Sequence, residues 1–271
     1  MTSLPRSIAT LAWFLGAALF LSGCSSAPIV NPSFDVSVER AEAVLAELRG
    51  SPEASRRPVL LVGGYFDPLG GEIASMNDEL KANFGADAVL RKRYFMFSDF
   101  DRLRDQLIEA VDERFGPGDD PNRTAPVDAV ALSMGGLVLR YAAVPSEGRR
   151  SLNLRRLYTV GTPHRGAAWA TGISPDKLVR DMKAGSAFLI ELESARSASE
   201  YELVPYVRLG DAVVGEENTS PPGVPVVWVD NLPWQRAHAN AMRDPRIQAD
   251  ILLRLRGLPP LSAEPRTPLP E

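Results

Sequence analysis

Cysteine occurs once in these 271 residues and histidine twice. One thiol excludes an internal disulfide. With only two histidines there is no Cys/His cluster and no H-x-E-x-H arrangement to hold a metal. Nor does any apolar run reach the roughly twenty residues that a helix needs to cross a bilayer. The longest, Ile8 to Leu21, is interrupted by Thr10 and falls short. Basic residues are scattered and the formal net charge is −4, which disfavours a nucleic-acid partner. Gly63-Gly64 and Gly70-Gly71 flank a loop, but the segment after them lacks the lysine of a phosphate-binding loop. No cofactor is expected, and no internal repeat is visible.

Against these absences one passage carries chemistry. Val127-Asp128-Ala129-Val130-Ala131-Leu132 is short and apolar, the composition of a buried strand, and Gly136 to Ala143 reads as a helix. Ser133 stands between them, with Ala131 and Gly135 two positions to either side. A serine on so tight a strand-to-helix turn needs small neighbours there, and its hydroxyl is lifted clear of the backbone. The helix start then directs free N–H groups at any oxyanion formed nearby. A serine nucleophile also needs a base within hydrogen-bond reach. His164 lies in Val160-Gly161-Thr162-Pro163-His164-Arg165-Gly166, and His238 lies in Trp234-Gln235-Arg236-Ala237-His238-Ala239-Asn240. Asp211, after Val204 to Gly210, and Asp230, after Val226 to Val229, are the acids that close strand-like runs.

Taken together and in order, these stretches resemble the α/β-hydrolases of the lipase and esterase group. They are similar to bacterial triacylglycerol lipases and to membrane-associated deacylases. The matching stretches are Asp128 to Tyr141, Val160 to Gly166, Gly210-Asp211-Ala212-Val213-Val214, and His238 followed by a terminal helix, spread over about two-thirds of the chain. The chain order of that fold, Ser then acid then His, implies Ser133 as nucleophile, Asp211 as orienter and His238 as base. Asp230 is the competing acid and His164 the competing base; the simpler roles are turn former for Asp230 and loop shaper for His164. The resemblance also implies an oxyanion hole from the backbone N–H groups of Tyr65 and Met134, with Phe66 as the alternative to Tyr65. Here the chain departs from the family pattern, because glycine replaces the histidine usual after the first core strand, in Gly63-Gly64-Tyr65-Phe66.

The fold class that follows is α/β: a mostly parallel sheet of about six strands with helices on both faces and a small helical cap. Strands are expected at Val59–Val62, Ala88–Met96, Val127–Leu132, Leu154–Val160, Leu203–Leu209 and Val224–Val229. Their continuous apolar runs suit a sheet covered on both sides. Helices are expected over Val36–Leu48, Glu72–Phe84, Phe100–Phe115, Leu137–Val144 and, from Pro245, to Arg256. Ser98 with Asp101 is the expected cap of the third. The intervening segment 167–202 is the expected cap insertion, serving as lid or simply as surface helices on the core. Trp169, Trp228 and Trp234 read as core aromatics before substrate platforms.

Location is written in the first residues. Arg6 and the apolar run to Leu21 form a signal sequence, and Leu21-Ser22-Gly23-Cys24 matches the bacterial lipobox, whose cysteine becomes a lipidated N-terminus. The expected organisation is therefore signal peptide 1–23, tether 24–34, hydrolase domain 35–256 and a proline-rich disordered tail 257–271. Ser25 after the cysteine favours the outer membrane of the cell envelope over the inner one. The partners this implies are a lipid or other ester substrate and, through Cys24, a membrane. Two other readings remain open: a non-catalytic domain of the same fold used for envelope binding, and a serine peptidase or amidase.

Overall fold

The computed structural model describes residues 36–67, 70–94, 96–231 and 234–263. The signal sequence, the lipobox with Cys24, the whole tether and residues 264–271 of the expected tail lie outside the described residues. Among those described, no helix is long and apolar enough to cross a membrane.

The chain runs α1 (Val38–Gly50), β1 (Val59–Val62), α2 (Ala74–Phe84), β2 (Val89–Lys92), α3 (Phe100–Phe115), β3 (Val127–Leu132), α4 (Met134–Ala143) and β4 (Leu154–Val160). It continues through α5 (Lys177–Asp181), α6 (Ala187–Ser194), β5 (Glu202–Arg208), β6 (Val227–Val229), α7 (Ala237–Asn240) and α8 (Pro245–Arg256). The six strands form one sheet in the order β2-β1-β3-β4-β5-β6, and every neighbouring pair is parallel.

Alternation along the strands decides what each face meets. Val59, Leu61, Val130, Leu132, Tyr158, Val160, Val204 and Tyr206 pack against α1, α2 and α8. Leu60, Val62, Ala129, Ala131 and Leu157 face the other way, against α3 and α4. Both faces are thus covered, which is why β1 and β3 are apolar at almost every position and buried throughout. Each fully buried Val or Leu contributes about 1.5–3 kcal/mol relative to its exposed state.

Several expectations need correction. Strand β2 ends at Lys92, because as an edge strand it pairs only with the four residues of β1. Strand β6 begins at Val227, after Pro225, which has no N–H to give a ladder. Helix α3 is capped by Asp99, whose carboxylate accepts the Arg102 N–H at 2.8 Å, so Ser98 is not its cap. The first residues of the segment expected as a loose tail are docked. Ser262 donates its N–H to Asp250 Oδ1 at 2.7 Å and its hydroxyl to Oδ2 at 3.0 Å, and Leu261 packs on the core.

The insertion between β4 and β5 carries two short helices, α5 and α6. Leu178, Met182, Leu189 and Leu192 are buried in the same cluster as α3 and α4, and the Phe188 ring stacks on Phe100 at 4.1 Å. Packing on the core is therefore what these helices show. Strand order reverses between β1 and β3, and the carboxyl ends of those strands open a crevice where ligands bind in such sheets. The loop Gly63-Gly64-Tyr65 and the Ser133 turn both lie there.

Candidate active site

Ser133 follows the last residue of β3 and directly precedes α4. Its backbone sits at φ 53°, ψ −129°, a conformation costly for any residue but glycine. The strain is held from three sides. The Ser133 N–H donates to the Val160 carbonyl at 2.9 Å, while the Ser133 carbonyl accepts the Thr162 hydroxyl at 2.8 Å and the Gly136 N–H at 3.1 Å. The small flanking residue has an explicit reason: a β-carbon on Gly135 would stand 2.6 Å from the carbonyl oxygens of Val62 and Gly63. Only glycine lets the start of the helix press against the end of β1.

Asp211 and His238 meet although they are far apart in sequence. His238 Nδ1 lies 2.8 Å from Asp211 Oδ2. Facing a carboxylate, Nδ1 is the protonated nitrogen, which leaves Nε2 free to accept a proton. The other carboxylate oxygen accepts the N–H groups of Val213 and Val214, each at 3.0 Å, so Asp211 is buried and locked by its own loop. Gly161, at φ 55°, passes beneath this pair: a β-carbon there would lie 3.1 Å from both Asp211 Oδ2 and His238 Nδ1. His238 and Ser133 line one cavity of about 500 Å³.

The alternative acid and base are committed elsewhere. Asp230 is bound by the Arg246 guanidinium at the start of α8. His164 is buried, with Nδ1 2.9 Å from Arg140 Nη1 and Nε2 3.0 Å from the Thr159 hydroxyl. Arginine can only donate, so His164 Nδ1 accepts and the ring is neutral. The same Arg140 reaches the Leu192 carbonyl and Glu193, tying the helix behind Ser133 to α6.

Burial, then the nearby charges of Arg140, Arg165 and Arg196, hold the His164 pKa well below its ordinary 6.5. The unfolded chain therefore binds the proton first as pH falls. Stability should be intact above pH 6.5 and fall by about 1.4 kcal/mol per pH unit below it. Denaturant unfolding between pH 7.5 and 5.5 checks this: the slope should disappear in His164→Gln, and an identical slope in that variant would assign it to other groups.

Two backbone N–H groups beside Ser133 and the β1 loop, those of Met134 and Tyr65, have no acceptor among the described residues. Gly64 packs directly on the serine, since a β-carbon there would be 3.0 Å from Ser133 Cβ and 3.6 Å from its Oγ. The glycine is required by close approach to the serine rather than by an unusual φ. Gly64→Val should accordingly lower kcat by on the order of 10²-fold, the cost of a misplaced oxyanion donor, with little change in KM. Steady-state kinetics on a folded variant test this, and an unchanged kcat would reduce Gly64 to a turn former.

Sequence reasoning missed part of the cavity wall. Glu72 lines it, held at the end of a turn in which Asp67 accepts the Gly71 and Glu72 N–H groups at 3.0 and 3.2 Å. Burial raises the Glu72 carboxyl pKa, while the charge of His238 opposes that shift. No motif marks this glutamate, because which wall it lines depends on the path of the Asp67 turn. Of the three tryptophans expected in the core, only Trp228 is there. Trp169 is 40% exposed and lines the cavity against the Tyr65 ring, and Trp234 is fully exposed.

No protein-family model matches the chain and no curated protein matches it in sequence. Solved structures do. Phospholipase PlaB from Legionella pneumophila superposes with a TM-score of 0.54 at 15% identity, over 75% of this chain and 59% of that one. The chain thus spans less than two-thirds of that protein's length. An esterase domain from Rhodothermus marinus matches over 76% of this chain and 88% of its own, at TM-score 0.46 and 14% identity. A cell surface hydrolase, so described as putative, from Lactobacillus plantarum matches over 76% and 94%, at 0.46 and 14%. At such identities the likeness speaks to architecture, and the architecture agrees with the strand order and crevice described above: the chain has the α/β-hydrolase fold.

Proposed function

We propose that this protein is a serine hydrolase that cleaves carboxylic esters, with Ser133, His238 and Asp211 as its catalytic residues. The observation that carries the reading is the 2.8 Å contact between Asp211 and a His238 that shares its cavity with Ser133. His238 Nε2 takes the proton of Ser133 as its hydroxyl attacks the ester carbonyl, and Asp211 stabilises the imidazolium. The N–H groups of Met134 and Tyr65 receive the oxyanion. The alcohol leaves with the proton from His238, and water then releases the acyl group from Ser133 by the same steps in reverse. Trp169, Val213, Ala212 and Ala237 give the cavity apolar walls, which supports an acyl-chain substrate. The fold shared with a phospholipase supports the same substrate class.

A series of p-nitrophenyl esters of increasing chain length tests the function, with a p-nitroanilide as the amide control. Turnover of esters, and preference for longer acyl chains, is the expected result. Turnover of the anilide alone would make the protein an amidase, and no turnover of either would favour a binding role.

The proposal extends to location: Cys24 carries lipid and anchors the domain in the bacterial envelope, in the outer membrane by the residue that follows it. Cys24→Ser should abolish incorporation of labelled palmitate and leave the signal sequence uncleaved. Wild-type protein found wholly in soluble fractions would contradict the anchor.

A further inference from the structure

The mechanism above does not use Asp176, a carboxylate only 3% exposed. It stands at the N-cap of α5, where Oδ1 accepts the Leu178 N–H at 2.9 Å. A helix cap needs no more than that. Yet Oδ2 accepts two further donors from segments remote in sequence, the Tyr65 hydroxyl at 2.7 Å and the Phe97 N–H at 2.9 Å. One buried carboxylate thus joins the turn after β1, the turn before α3 and the insertion between β4 and β5. Burial and this bond both raise the pKa of the Tyr65 hydroxyl, so it stays a donor.

The two segments that reach Asp176 are also strained. Phe66, next to Tyr65, has φ 54°, and Phe97 has φ 58°. Bulky residues avoid this left-handed region, and they remain in it only where their surroundings fix them. Packing of the phenyl rings does not fix these, since Phe66 is 50% and Phe97 70% exposed. Hydrogen bonds reach both turns instead: Asp176 takes the Tyr65 hydroxyl on one and the Phe97 N–H on the other, while Asp67 closes the first turn through Gly71 and Glu72. The Tyr65 ring is further seated against Trp169 and among Ala167, Ala170 and Val179.

We infer that Asp176 is a positioning residue for ester hydrolysis: through the Tyr65 hydroxyl it fixes the turn that supplies the second oxyanion donor. This rests on the hydrolase reading given above. Without the anchor the strained turn relaxes, and the Tyr65 N–H moves away from the place where negative charge develops. Ground-state binding to the apolar walls changes little, so the loss falls on kcat.

Tyr65→Phe removes only the hydroxyl, and Asp176→Asn keeps the shape of the carboxylate but leaves one accepting oxygen. Each should lower kcat on a p-nitrophenyl ester by on the order of 10-fold to 10²-fold, part of what a lost oxyanion donor costs, with KM changed less than about two-fold. The double variant should be no worse than the more damaged single one, because both break one linkage. A folded Tyr65→Phe enzyme with wild-type kcat would overturn the proposal, as would multiplicative losses in the double variant. Should Asp176→Asn fail to fold, Tyr65→Phe still decides. Ser133→Ala, assayed alongside, separates the two readings. If it is inactive while Tyr65→Phe keeps full kcat, only the role of Asp176 is lost; if wild type itself turns over no ester, the hydrolase reading fails first.

Discussion

Ser133→Ala should lower kcat for ester hydrolysis by on the order of 10⁶-fold, the scale set by removing a serine nucleophile elsewhere, while the protein unfolds as wild type does. Among the described residues the hydroxyl carries no bond that the fold requires: the hydrogen bonds that hold this turn run through the Ser133 backbone. Alanine occupies the same strained conformation with the same β-carbon, so stability changes little. Activity and loss of structure are thereby separable, and a circular dichroism melt beside the kinetic assay distinguishes them. Activity retained at more than a small fraction of wild type would place the nucleophile elsewhere.

The second large effect is graded. His238→Ala removes the base and should cost nearly as much as loss of Ser133. Asp211→Asn should cost on the order of 10⁴-fold, for a specific reason. Asparagine can keep an oxygen toward the Val213 and Val214 N–H groups, which Asp211 Oδ1 now accepts. It then presents an NH₂ group to His238 Nδ1 where the carboxylate presented an acceptor. The ring must turn its proton onto Nε2, the nitrogen that has to receive one from Ser133. His164→Gln, by contrast, should retain activity if it folds, because His164 is engaged with Arg140 and Thr159. A folded, inactive His164 variant beside an active His238→Ala would reverse the assignment.

How much of this was legible in the sequence depends on how local each constraint is. The elbow was readable because its geometry restricts three nearby residues, Ala131, Ser133 and Gly135, and because β3 is buried on both faces and so apolar throughout. The parallel sheet was readable for the same reason. The contact of His238 with Asp211 was readable only through the chain order of the resemblance; nothing in either segment states that they meet, or that Asp230 pairs with Arg246 instead. Glu72 and Asp176 were invisible. Asp176 is placed by contacts remote in sequence, with Tyr65 and Phe97, and Glu72 by a turn that Asp67 closes without a motif to mark it. The caps and strand ends went astray where one residue decides, as with Asp99 over Ser98 and with Pro225 before β6.

The most direct test of the central claim is covalent. A fluorophosphonate reacts with a serine only where a base and an oxyanion hole activate it. Wild-type protein treated with such a probe, digested and mapped by mass spectrometry should carry one adduct, on the peptide that contains Ser133, and should lose ester turnover in step with labelling. An adduct on any other residue, or an unlabelled Ser133 in folded protein, would contradict the account.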